Sequence, residues 1–227
     1  MMKAVRGDVA HVVHRLESFS DIVIGFALAQ TALSLVIPTK PVEFYTNPLG
    51  ITAYVTTFIL VARFWWNHAE IFRHYFEPTR IAVFLNFAAL AALGIFVFSL
   101  QVWLHPNQSV HEQDLAAKGY FLAYALTYAL LAVLRLVGVR ARREHLTAEL
   151  RRHGVMLSIR ALCISLGVAG GAFLAPPTGL GQGYFYVGVP IAAVPLNIVI
   201  GAVAGALLSR IVRLILWKRD WGTPEKA

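Results

Sequence analysis

The sequence predicts an all-α integral membrane protein of six transmembrane helices, with N- and C-termini cytoplasmic. Three observations carry that expectation. Only 14% of the 227 residues are charged while 58% are hydrophobic, whereas a soluble domain carries roughly a quarter charged residues. The apolar residues fall into blocks of about 20, the length at which a helix crosses the bilayer core. Finally, with the N-terminus inside, every Lys and Arg except Lys40 and Lys118 falls on an inner segment, and an excess of basic residues marks the cytoplasmic side.

The chain reads as one domain over 1–227 with spans at about 19–37, 48–67, 81–104, 119–137, 158–175 and 186–216. A charged stretch, His14 to Asp21, runs directly into the first apolar block, which Pro38 and Pro41 stop. Lys3, Arg6 and the Ala27-Leu28-Ala29 triplet imitate a cleavable signal. However, Asp21 leaves only Ile22 to Phe26 before that site, and the apolar run continues to Ile37, so the segment is expected to be a retained span. His105-Pro106-Asn107 ends the third span. Lys118 and Arg135 bracket the fourth and are expected to snorkel outward. The basic segment from Arg140 to His153 is expected to continue the fourth helix into the cytoplasm.

No charge occurs from Ala161 to Ser209, a run too long for one helix, and Pro176 to Gly183 divides it into the last two spans. Pro190 and Pro195 should kink or delay the sixth. Trp65, Trp66, Trp103, Trp217 and Trp221 fall at span ends, where amphipathic rings prefer the interface. Gly167 with Gly171, and Gly201 with Gly205, have the spacing that lets helices approach closely.

The net charge of +8 would suggest nucleic acid in a soluble protein. Here the basic residues lie between apolar blocks rather than along one face, so lipids, not nucleic acid, are the expected surroundings. No HExxH, GxSxG, Walker loop or Cys-pair metal site occurs, so no enzyme activity, catalytic residue, cofactor or metal is expected. His105 and His111 read as loop residues near Glu112 and Asp114. The lone Cys163 reads as a small packing residue.

Three polar side chains sit at similar depth in the inner part of the spans: Asp21, His68 and Asn86. An ionised Asp at the bilayer centre costs about 2.5–3.5 kcal/mol on insertion scales and less nearer the interface, so a partner is expected among Arg15, Ser20, His68 and Asn86. The group is either a structural hydrogen-bond network or a relay for protons or ions. On a helical wheel Ile22, Phe26, Ala29, Gln30, Leu33 and Ile37 share one face, and Ser20 and Asp21 lie more than about 100° from its centre. Either that stripe or the Asp21, Gly25, Leu28, Ala32 face can line a path, and periodicity does not choose between them.

Arg15-x-x-x-Phe19-Ser20-Asp21 resembles the signature that opens helix one of the endosomal/lysosomal potassium channels, the transmembrane protein 175 family, and their single six-helix prokaryotic relatives. Phe64-Trp65-x-x-His68-x-x-x-Phe72 is similar to the family's end of helix two, and Leu85-Asn86-Phe87 to its helix three. The resemblance covers spans one to three by motif and the rest by count. It implies a homotetramer without a pore loop, in which helix one lines the pore. Arg15, Phe19, Ser20, Asp21, His68 and Asn86 would form the structural polar network.

It further implies an apolar gate at Phe26, with Leu33 a second ring on the same face, and K+ or another monovalent cation as the permeating ion. Ala29 stands where channel members often carry Thr, and Phe26 where they carry Ile or Leu. The expected function is a tetrameric potassium channel gated by an apolar constriction, a multi-pass integral membrane protein that lies in the cell (inner) membrane if the source is prokaryotic. A proton-coupled transporter or proton pathway using Asp21 and His68 is a second reading, and a non-conducting membrane scaffold a third.

Overall fold

The computed structural model describes residues 2–33, 48–105, 108–174 and the single positions 203, 207 and 210. The described chain forms helices α1 (Met2–Leu33), α2 (Pro48–His74), α3 (Arg80–Trp103), α4 (Val110–Ala141) and α5 (Ala148–Leu174). Four stretches are long and apolar enough to cross a membrane: His11–Leu33, Arg80–Trp103, His111–Ala141 and Ala148–Phe173. The predicted sixth span, the Pro176 to Gly183 divider, the Gly201 and Gly205 pair and Ile37 lie outside the described residues.

Local chemistry sets the helix ends. Thr79 opens α3 by accepting the Ala82 N–H on its hydroxyl at 3.2 Å. Ser109 opens α4 through a capping box: its hydroxyl accepts from the Glu112 backbone N–H, and the Glu112 carboxylate accepts from the Ser109 N–H at 2.7 Å. That cap starts α4 about two turns before the predicted 119.

Two expectations are corrected. The basic segment from Arg140 to His153 is not a continuation of α4. The Arg142 N–H still reaches Gly138, but the His145 and Leu146 N–H groups both return to the Arg142 carbonyl, at 2.9 and 3.1 Å, and close a turn. Thr147 then caps α5 by accepting the Leu150 N–H at 3.2 Å, so α5 starts well before 158. Arg135 also does not snorkel outward. Its side chain is 3% exposed and lies 3.6 Å from the Glu70 carboxylate on α2, and it donates to the Asn67 carboxamide oxygen at 3.5 Å. A half-buried acid on a neighbouring helix overrides the pull of the interface.

The helices alternate in direction. Cross-helix bonds fix α2 and α4 as parallel, because partner positions advance together along both. Thr57 shares a hydrogen bond with Tyr120, Tyr128 donates to the Leu60 carbonyl, Arg135 donates to Asn67 and Arg142 donates to the His74 carbonyl. α1 and α3 are parallel by the same test, because Ser20 is bonded to Asn86 towards one end and Gln30 shares a crevice with Gln101 further along both.

Packing is most extensive between α3 and α4 and between α4 and α5, while α1 rests on α2 and α3. The core is aromatic: Phe96 contacts Tyr120 and Tyr124, and Tyr124 lies against Tyr128. At the far end of α2, the fully buried Tyr75 wedges between α4 and α5. A Cβ on Gly138 would run into the Tyr75 backbone, and one on Gly154 would come within 2.7 Å of the Tyr75 ring and Val139. Glycine permits that three-helix junction.

Candidate functional site

Helix α1 is the most open of the elements and the one that the sequence motifs mark. Its inward face carries Ser20, Ile24, Ala27 and Thr31, all buried. Spacings of three and four residues return to one side of a helix, so this narrow strip is its fully buried face, with Val13, Leu16, Val23 and Leu28 packed partly buried against the core. The two hydroxyls on it are satisfied within α1 itself, Ser20 donating to the Leu16 carbonyl at 2.8 Å and Thr31 to Leu28 at 2.6 Å.

From Ser20 a chain of hydrogen bonds crosses three helices. The Asn86 amide donates to the Ser20 hydroxyl at 3.2 Å, and the Asn86 oxygen accepts from His68 Nε2 at 2.8 Å. All three side chains are fully buried. Because the amide nitrogen is turned to Ser20, the oxygen faces His68 and the ring proton sits on Nε2. The ring lies between Phe72, at 4.6 Å, and Phe64, at 6.0 Å, both stacked. Its Nδ1 has no partner among the described residues. A second ring proton there would have no acceptor, which suits a structural anchor better than a proton relay.

Asp21 takes a different partner. It is exposed, and its carboxylate accepts the indole N–H of Trp65 on α2 at 2.9 Å. Neighbouring residues of α1 therefore reach different helices, Ser20 towards α3 and Asp21 towards α2. In the sequence Trp65 stands out as an interface aromatic and as part of the Phe64-Trp65-x-x-His68 segment, with no bonding partner assigned to it. An indole one helical turn before His68 is also a natural donor to a carboxylate at that depth.

Arg15 is not brought into this group: it is exposed and makes no ion pair among the described residues. Five residues of helix turn it about 140° from Ser20, so the two cannot share a face. Phe19 packs edge-on to Phe87 at 5.8 Å and flanks the bond between Ser20 and Asn86.

The remainder of α1 is open. Ile22, Phe26 and Leu33 are 71%, 66% and 76% exposed, and Ala29 is exposed between them. Asp21, Gly25 and Ala32 are exposed too, while Leu28 is half-buried. The uncovered arc therefore includes most of both faces that the sequence left as alternatives. Gln30 sits at its edge, half-buried, lining a crevice of about 200 Å³ with Phe26, Phe98 and Gln101 between α1 and α3. Among the described residues, no group of three or more His, Cys, Asp or Glu is placed to hold a metal.

Residues 15–96, which hold this strip, the Ser20, Asn86 and His68 chain and the Asp21 contact, match the family model of the endosomal/lysosomal potassium channel TMEM175. That segment is TMEM175-like. The whole fold is also similar to a solved potassium channel, MtTMEM175, in a threonine-to-alanine variant crystallised with a Nanobody-MBP fusion protein. The TM-score is 0.63 at 16% identity, over 87% of this chain and 92% of that one. At that identity the likeness speaks for the fold. No curated protein matches the chain significantly. Both the TMEM175 model and the solved structure are of potassium channels, not enzymes.

Proposed function

We propose that the chain assembles as a homotetrameric potassium channel in which α1 lines the pore. Phe26 forms the main constriction and Leu33 a second apolar ring. Ile22, Ala29 and Ile37 complete the stripe, and Gln30 at its edge supplies the polar contact for K+ or another monovalent cation. Ser20, Asp21, His68 and Asn86, with Phe19 beside them, hold the rotation of α1, while Arg15 lies at the helix entrance. The subunit has six spans, at about 19–37, 48–67, 81–104, 119–137, 158–175 and 186–216, with no pore loop and both termini cytoplasmic in the cell membrane.

The observation that carries this reading is the exposure of Asp21 beside the apolar stripe. An apolar face alone suits lipid as well as a pore. A carboxylate on the exposed arc of a spanning helix does not suit lipid, where such a charge is costly. Water or a second subunit must cover it. Gathering four copies of this arc about an axis supplies both, and a ring of four Phe26 side chains can close the path by excluding water.

Liposome flux tests the proposal. Purified protein should collapse an imposed K+ gradient, and Phe26→Ala should raise the rate. A flux that strictly requires a proton gradient and disappears in Asp21→Asn would replace the channel with a proton-coupled pathway. If neither the parent nor Phe26→Ala passes any small cation, a non-conducting scaffold is the better account.

A further inference from the structure

A cavity of about 520 Å³ opens between α2, α4 and α5, away from α1. One arginine from each helix lines it: Arg63, Arg135 and Arg160. Opposing charge is scarce. Among the described residues only Glu70 pairs with any of the three, through Arg135, and that carboxylate is shared with His153 at 3.9 Å. Arg63 and Arg160 make no ion pair among the described residues.

Arg135 is the telling group. Its side chain is almost wholly buried, yet its Nε has no hydrogen-bond partner among the described residues. An unmatched charged donor in such a place is costly. The rest of the wall is largely apolar, with Leu131, Leu157 and Ile164 facing the opening. Arg135 lies 6 residues before the end of α4, while Arg63 lies 11 residues before the end of α2 and Arg160 12 residues into α5, so all three are on the side of the bundle where α4 ends and α5 begins. Three guanidinium groups on one side of the bundle therefore border an oily slot between the helices.

We propose that this cavity binds an anionic phospholipid, with its phosphate held by Arg63, Arg135 and Arg160 and an acyl chain against Leu131, Leu157 and Ile164. Guanidinium groups suit phosphate because their forked donors match its oxygens. Basic pockets between spanning helices are suited to anionic lipid headgroups. The phosphate offsets the charge that Glu70 alone leaves unbalanced on the three arginines. The site stands apart from the pore reading; with the orientation proposed above, its arginines would face the cytoplasmic leaflet.

Native mass spectrometry of the full chain in mild detergent tests this, with phosphatidylglycerol and phosphatidylcholine titrated separately. Arg63 and Arg160 are exposed, so the double variant Arg63→Gln/Arg160→Gln should keep the fold, shown by an unchanged melting temperature without lipid. Phosphatidylglycerol should bind the parent about tenfold tighter than phosphatidylcholine, and the double variant should lose about that factor for phosphatidylglycerol alone. Equal binding of the two lipids, or phosphatidylglycerol binding untouched by the substitutions, overturns the proposal. If millimolar inorganic phosphate raises the melting temperature of the parent as much as phosphatidylglycerol does, and the variant loses both effects, the site takes free phosphate and the lipid assignment falls.

Discussion

Trp65 donates its indole N–H to the Asp21 carboxylate at 2.9 Å, while Ser20, one residue earlier, is held by Asn86 of α3. Two bonds in different directions from adjacent residues fix both the position and the rotation of α1. One bond would allow the helix to swing about it. This gives Asp21 a positional role, and it leaves Ile22, Phe26, Ala29 and Leu33 facing outward.

Trp65→Phe tests that role. Phenylalanine keeps most of the aromatic bulk and removes the donor alone. Asp21 is exposed and can recruit water, so the loss should be modest, about 1 kcal/mol. The expected readout is a small fall in the melting temperature in detergent, together with altered cation flux, because the freed helix no longer presents Phe26 at a fixed angle. An unchanged flux would mean that Ser20 and Asn86 orient α1 without help.

Asn86→Leu should be worse. The carboxamide serves two fully buried partners, His68 Nε2 and the Ser20 hydroxyl. Leucine keeps the branched heavy-atom skeleton, with bulkier methyl groups and no polar atom, so it strands the His68 N–H, at about 1–3 kcal/mol for an unsatisfied buried group. Ser20 still donates to the Leu16 carbonyl and suffers less. Thermal unfolding should therefore rank Asn86→Leu clearly below Trp65→Phe. The reverse order would show that the buried chain is not the principal anchor.

Much of this arrangement was legible in the sequence, for definite reasons. Polar residues are rare inside spans, so Asp21, His68 and Asn86 stood out, and their equal depth already suggested a shared layer. Helix ends were less legible. The Ser109 and Glu112 capping box draws α4 outward by about two turns, a local effect that hydropathy does not see. Arg135 departs from the snorkelling expectation because that choice depends on which acid lies across the helix interface, and Glu70 is 65 positions away in the chain. The Tyr75 junction had no signal at all. Gly138 and Gly154 are ordinary glycines until α2 places a tyrosine between them.

That junction gives a graded prediction. Gly138→Ala drives a Cβ into the Tyr75 backbone, which cannot step aside without moving the end of α2. Overpacking of this kind costs about 1–3 kcal/mol or more. Gly154→Ala meets the Tyr75 ring and a Val139 methyl, which can give by rotating, so its cost should be smaller. Gly94→Ala meets nothing within 4 Å and should be neutral or slightly stabilising, because alanine is the better helix former by about 1 kcal/mol. Melting temperatures in one detergent check the order, and a Gly138→Ala protein as stable as Gly94→Ala would refute the wedge.

Ala29 offers a test of the pore that leaves the fold alone. It is exposed, close to the middle of the uncovered arc and between Phe26 and Leu33 along the helix, so a larger side chain there has no neighbour in the subunit to strike. In four copies around an axis, Ala29→Leu would add a third apolar ring where the path is now widest. A longer dewetted stretch raises the barrier to an ion, so K+ flux should fall severalfold while the melting temperature holds or rises slightly. If α1 instead faces lipid, leucine is as welcome as alanine and flux will not change. A variant that keeps both its stability and its full flux would move the pore away from this helix.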